Sequence, residues 1–219
     1  MHHPKEIQFL GSNIISDVAW NSIAASDNDP HQSLVGVLFS CAWIESVINE
    51  LLLALASDKT GDSRIAALAK AADLYDQKAP LRRKLSVLGA AATGREIDFG
   101  RVPLQDFGLL MDLRNWIVHL RPETVKVKPN PSETGTSLIN EEYHTLINRL
   151  AERGVIPKPD PNFLYSVVTT AAAAPNVAAW SYRTAYELLE EVSKWLPSWR
   201  SRILLGHKHP PERGAARRS

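Results

Sequence analysis

The segment Leu104-Gln105-Asp106-Phe107-Gly108-Leu109-Leu110-Met111-Asp112-Leu113-Arg114-Asn115-Trp116-Ile117-Val118-His119-Leu120 reads as one amphipathic helix. Leu109, Leu110, Leu113, Trp116, Ile117 and Leu120 recur at helical spacing, and Pro122 ends the run. A helical residue turns by about 100°, so Asn115 and His119 lie nearly above one another, Asp112 and Gly108 continue their stripe, and Arg114 flanks it. A fixed cation, an amide and a titratable imidazole therefore fall within little more than one turn. That grouping suits phosphodiester chemistry: arginine holds a phosphate bidentately, imidazole moves a proton near neutral pH, and neither task needs a metal. His119 is expected at the border between the apolar side and the polar stripe, orientable and still reachable.

Working outward, the other segments carry the same helical period. His31 to Ser57 holds Leu34, Leu38, Cys41, Ile44, Ile48, Leu51, Leu52 and Leu55 without an internal proline and is expected to be the central helix. Glu6 to Ala25 is an earlier helix with Ile7, Leu10, Ile14, Ile15, Val18 and Ala19 as its apolar residues, stopped by Asp27-Asn28-Asp29-Pro30. Asp62 to Tyr75 and a segment opened by Pro80, with Leu81, Leu85 and Leu88, give two shorter helices, and Gly94 to Pro103 is a loop. Between Arg121 and Asn140 the pattern is a short alternation followed by turn residues, which fits a hairpin or a mobile loop. Glu141 to Arg153 is a modest helix, Phe163 to Thr170 is a strand or a helix start, and Pro175 to Leu196 is helical again. The expectation is an all-α single bundle of about six or seven helices.

Composition limits what the chain can be. With 219 residues, 44% hydrophobic and 22% charged, it supports one sizeable core. One domain is expected over residues 1–205, with a loop insertion at about 121–140 and a disordered basic tail over 206–219. A single cysteine, Cys41, excludes an internal disulfide, and Met1 to Lys5 leads into no apolar signal core, which suggests a cytoplasmic protein. The greasiest run, Val47 to Ala56, is interrupted by Asn49 and Glu50, so no membrane span is expected. Net charge is +1, but the last twenty residues hold six cations against one acid, Glu212, leaving 19 of 25 cations and 23 of 24 acids in the body. A slightly acidic body argues against a sequence-specific DNA binder with a broad basic face.

On the central helix, Leu38, Cys41, Glu45, Ile48, Leu52 and Leu55 fall on one stripe, and Glu45 interrupts it. A carboxylate half-buried on a core face needs a cation or hydrogen-bond donors, and Arg114 and His119 are the candidates. The plainer alternative makes Arg114 and Glu45 a buried ion pair fastening two helices and His119 a satisfied core histidine. Asp112 reads as a solvated helix residue, and Cys41 as a small core residue.

Together these residues resemble the HEPN superfamily (higher eukaryotes and prokaryotes nucleotide-binding), all-α domains whose ribonucleases carry an Arg-x(4 to 6)-His motif, often with Asn after the Arg. The match is Arg114-Asn115-x-x-x-His119 in a late helix, followed by Leu120-Arg121-Pro122, with the long earlier helix bearing Glu45. The resemblance implies a metal-independent endoribonuclease without cofactor, commonly a toxin or defence component, acting on RNA as a homodimer with an antitoxin or nucleotidyltransferase partner. It assigns His119 as general acid or base, Arg114 as the group that stabilises the pentacovalent phosphate, and Asn115 and Glu45 as support. The alternative it leaves is a non-catalytic module binding a nucleotide, RNA or a partner protein. In a family branch silenced by nucleotidylation a tyrosine stands two positions after the histidine; here that position is Arg121. Arg121, the triplet Arg82, Arg83 and Lys84, and Lys126 with Lys128 are candidates for contact with an RNA backbone. The tryptophans fall mostly on apolar faces, so packing outranks base stacking for them.

Overall fold

A 27-residue helix, His31–Ser57, runs through the middle of the molecule and organises the rest. The computed structural model describes residues 10–57, 79–119, 126–129, 136–139, 141–158, 172–196, 203 and 207–210. The elements there are α1 (Leu10–Ala25), α2 (His31–Ser57), α3 (Leu81–Thr93), α4 (Leu104–Val118), β1 (Lys126–Pro129), β2 (Thr136–Ile139), α5 (Glu141–Glu152) and α6 (Pro175–Trp195). The architecture is the expected all-α one, with a two-stranded antiparallel hairpin appended. Lys126 pairs with Ile139 and Lys128 with Ser137, so the segment after the Arg-Asn motif is a hairpin rather than a loop. The expected helix at Asp62 to Tyr75, the segment Phe163 to Thr170, Arg121, and the tail beyond residue 210 lie outside the described residues.

α2 starts where Asp29 accepts the His31 backbone N–H at 2.9 Å, satisfying one of the donors a helix start leaves open. It packs chiefly against α1 and α6, and α4 meets it on a further side. Val37, Cys41, Trp43, Ile44, Val47, Ile48, Leu51 and Leu55 are buried along it. Over His31–Leu55 the helix is long and apolar enough to cross a membrane; half of that window is buried inside the bundle, which accounts for the composition.

The first helix forms as expected but buries a different face. Ser12, Ser16, Ala19, Ser22 and Ser26 line the contact with α2, while Ile14 is 66% exposed. Three of the serines close their hydroxyls onto their own helix, Ser16 donating to Asn13 O (2.9 Å), Ser22 to Val18 O (2.8 Å) and Ser26 to Ile23 O (2.6 Å), while Ser12 donates to Glu50 Oε2 on α2 (3.2 Å). A hydroxyl bonded in this way presents only a small surface outward, so the backbones can approach closely. The closest approach is at Gly36, where a Cβ would stand 3.0 Å from the Cβ of Ala178 on α6 and 3.5 Å from that of Ser22 on α1. Nearby, Ser33 on α2 donates to Ala174 O at 3.0 Å, fixing the start of α6.

At the other end, the 94–103 loop folds back over α3. A Cβ on Gly89 would come within 2.3 Å of Ile97 Cγ1 and 3.1 Å of Trp195 Cζ3, so any larger residue here would have to push Ile97 of the loop aside. Gly94 caps α3 in the left-handed region (φ 70°), its N–H bonded to Ala90 O at 2.9 Å.

Candidate functional site

The polar residues of the Arg-Asn motif occupy the last turn of α4, and that helix is positioned by two struts, one from α5 and one from the residue that follows it. In its first turn Asp106, 7% exposed, pairs with Arg153 at 2.7 Å. Two turns further on, Asp112 pairs with Arg149 at 2.8 Å with both side chains substantially exposed. Asp112 is therefore a surface residue with a structural partner, as its position on the polar stripe suggested. The inner side of α4 is Leu104, Phe107, Leu109, Leu110 and Leu113, with Trp116 and Ile117 half-buried.

Arg114 is half-buried, and its Nη1 donates to the side-chain Oδ1 of Asn115 at 3.0 Å. The bond joins adjacent residues and fixes one edge of the guanidinium fork; its other N–H groups have no bond among the described residues. Asn115 is exposed, and its backbone oxygen accepts the His119 N–H at 2.9 Å. The helix stops there. His119 has φ −112° and ψ 45°, leaves the helix as its C-cap, and is exposed, beside Val118 at 48% exposure. The expected border position between core and groove is thus corrected: the imidazole lies at an open helix end, two residues before the expected stop. Pro122, three residues on, is the stop signal in the sequence: it has no N–H with which to continue the helix by bonding the Val118 carbonyl.

Where α2 crosses α4, the Cys41 thiol lies 4.0 Å from Leu110 O. Burial pushes that thiol up from 9.0 to about 12; Arg114 pulls it down and Glu45 pushes it up. Arg114 and Glu45 therefore flank one point of the crossing. Yet Glu45 is exposed and is not ion-paired with Arg114 or His119, which corrects the expected half-buried, cation-met carboxylate. The reason is the breadth of the buried arc of α2: Cys41 and Ile44 lie well inside it, whereas Glu45 shares its outward edge with the exposed Ala42 and Leu53. From that edge a two-carbon stem carries the carboxylate into water.

The basic triplet divides. Arg82 and Arg83 are exposed, and the Arg82 guanidinium lies 4.7 Å from the centroid of the Phe99 ring. Lys84 is 1% exposed, and its Nζ donates to Asn49 Oδ1 at 2.7 Å, so it cannot meet an RNA backbone. Lys126 and Lys128 are two residues apart on β1, in the hairpin that follows the motif.

The chain matches no family model, no curated protein and no solved structure. What the site can do is read from its own groups. Among the described residues no cluster of His, Cys, Asp and Glu could hold a metal ion. The end of α4 thus carries a partly anchored guanidinium, a carboxamide and an exposed imidazole.

Two structural features escaped the sequence. The ion pairs Asp106–Arg153 and Asp112–Arg149, which tie α4 to α5 and its exit, join residues 47 and 37 positions apart, with no local pattern linking them. The other is a cluster on the opposite side of α2, where Trp43 stacks on Tyr182 (5.1 Å, 23°), Trp20 meets Tyr182 edge-on (5.3 Å, 69°), and His207 packs on Trp43 (4.7 Å). Residues 207–210 were expected to be disordered; they are instead docked across the bundle by these rings.

Proposed function

We propose that the chain is a metal-independent endoribonuclease of HEPN type, a toxin or defence effector that cleaves RNA in the cytoplasm. One observation carries the reading: Arg114 is tied to Asn115 while, at the end of the same helix, the His119 imidazole is open to solvent. The ribose 2′-oxygen attacks phosphorus, the bond to the 5′-oxygen breaks, and a 2′,3′-cyclic phosphate and a 5′-hydroxyl remain. His119 takes the 2′-hydroxyl proton or protonates the departing oxygen, and Arg114 stabilises the charge on the pentacovalent phosphate. Asn115 holds the guanidinium in position. A single imidazole serves one of the two proton transfers, and a second copy of the motif in a homodimer supplies the other. Exposed Arg82 and Arg83 are available to the strand. Glu45 acts at most through the field it shares with Arg114.

The test is purified protein incubated with RNA, with and without EDTA. Cleavage is expected to survive EDTA, to spare DNA, and to fall by about 100-fold or more in His119→Ala and Arg114→Ala. Loss of cleavage in EDTA, or full activity in His119→Ala, removes the proposal. A second reading, a non-catalytic module for a nucleotide, RNA or partner protein such as an antitoxin or nucleotidyltransferase, rests on the same exposed Asn115 and His119 used for binding without turnover. Under it the same variants leave RNA intact and weaken binding.

A further inference from the structure

Residues 207–210 cross α1, α2 and α6 as a strap, and each of the first three makes a defined contact. The indole Nε1–H of Trp43, which can only donate, bonds His207 Nε2 at 3.3 Å. Nε2 is then the unprotonated nitrogen, and the proton resides on Nδ1, which donates to Ser16 Oγ at 3.0 Å. Ser16 passes its own hydrogen to Asn13 O at 2.9 Å, so the chain of donors runs in one direction from α2 through the ring into α1. Lys208 O accepts from the Tyr182 hydroxyl at 2.8 Å, its Nζ pairs with Asp17 at 3.2 Å, and the His209 ring packs on Tyr186 at 5.1 Å.

We infer that this strap is a proton-operated clip, held closed by neutral His207 and released when that ring takes a second proton. The added proton would sit on Nε2 and face the Trp43 N–H, turning one hydrogen bond into a contact between two donors. The charged and titratable groups facing the ring are Asp17 from α1, Tyr182 from α6 and Lys208 from the strap itself; α2 contributes Trp43. Asp17 favours a charged ring but is already paired with Lys208, and burial prevails, pushing the His207 pKa from 6.5 down to about 4. In the open strap the ring titrates near its ordinary value. Between the two values the open form binds more protons, so closure is fully favoured above the ordinary value and weakens as pH falls from there towards 4. The inference is independent of the RNA-cleavage reading.

The test is hydrogen exchange on the full chain, corrected for intrinsic rates, at about pH 7.5 and about pH 5. Protection of the Trp43 indole N–H, which His207 accepts, is expected to drop on the order of ten-fold, with the α6 amides unchanged. His207→Gln, whose carboxamide can accept from Trp43 and donate to Ser16 without titrating, is expected to show no drop. Constant protection in the unaltered chain, or the same drop in His207→Gln, overturns the inference. If His207→Gln leaves the strap open at both values, the nitrogen resonances of His207 in the unaltered chain decide. An Nδ1-protonated ring titrating well below the ordinary value supports the clip, and an Nε2-protonated ring titrating normally refutes it.

Discussion

Asn49→Ala and Lys84→Met change the two ends of one bond and are predicted to have unequal effects. The Lys84 amino group is almost wholly buried and donates to Asn49 Oδ1 at 2.7 Å, a length typical of a charge-assisted bond. Such bonds contribute about 1.5–3 kcal/mol, and deleting the acceptor leaves the donor desolvated with less compensation. Alanine regains roughly 0.5 kcal/mol in helix propensity over asparagine. Asn49→Ala should therefore cost about 1–2.5 kcal/mol. Lys84→Met removes the buried amino group and refills most of its volume, while the half-buried Asn49 can turn its carboxamide to water. Its effect should stay within about 1 kcal/mol of either sign. Urea unfolding of both single variants and the double variant gives the coupling directly, expected at about 1.5 kcal/mol or more. A coupling below about 0.5 kcal/mol, with Asn49→Ala equally costly in both backgrounds, would refute the reasoning.

Gly89→Ala puts a methyl group into Ile97 and should cost about 1–3 kcal/mol in thermal or chemical unfolding, with Ile97→Val recovering part of it. The Cys41 thiol, buried with its pKa pushed up to about 12, should resist thiol reagents at about pH 8 in the folded chain and react once urea unfolds it, as a colorimetric thiol assay would read. At the α1–α2 contact, Ser22→Ala should change stability by less than about 1 kcal/mol, whereas Ser22→Leu should cost about 2 kcal/mol or more in the same assay.

Helices were legible where apolar period and stop signals agreed. α2 runs over the range its leucines and Asp29-Pro30 mark, and the 94–103 loop lies between its glycine cap and Pro103. Faces were less legible. On α1 the apolar residues do not mark the buried face, because serine hydroxyls bonded to their own carbonyls behave as small packing groups, and Ile14 stands in solvent. Lys84 belongs by composition to a basic triplet, but its spacing from Leu81 and Leu88 puts it on the buried stripe of α3, a signal present in the sequence. Glu45 shows the opposite limit, since a three-four stripe fixes an angle and not how far the buried arc extends. In the candidate site, the sequence gives the order Arg114, Asn115, His119, but the Arg114–Asn115 bond and the exit of His119 from the helix depend on where α4 unwinds. The strap carries no periodicity: His207 is anchored by side-chain hydrogen bonds from its ring to residues 164 and 191 positions away.

The meeting of three helix backbones at Gly36 sets a ceiling on side-chain volume that all three elements share. Bulk added to any one of them there pushes on the other two, so drift at this junction is confined to interchange among glycine, alanine and serine. Distant kin of this chain should be traceable by that run of diminutive residues, 12, 16, 19, 22 and 26 opposite 33, 36 and 40, even after their hydropathy profiles have diverged.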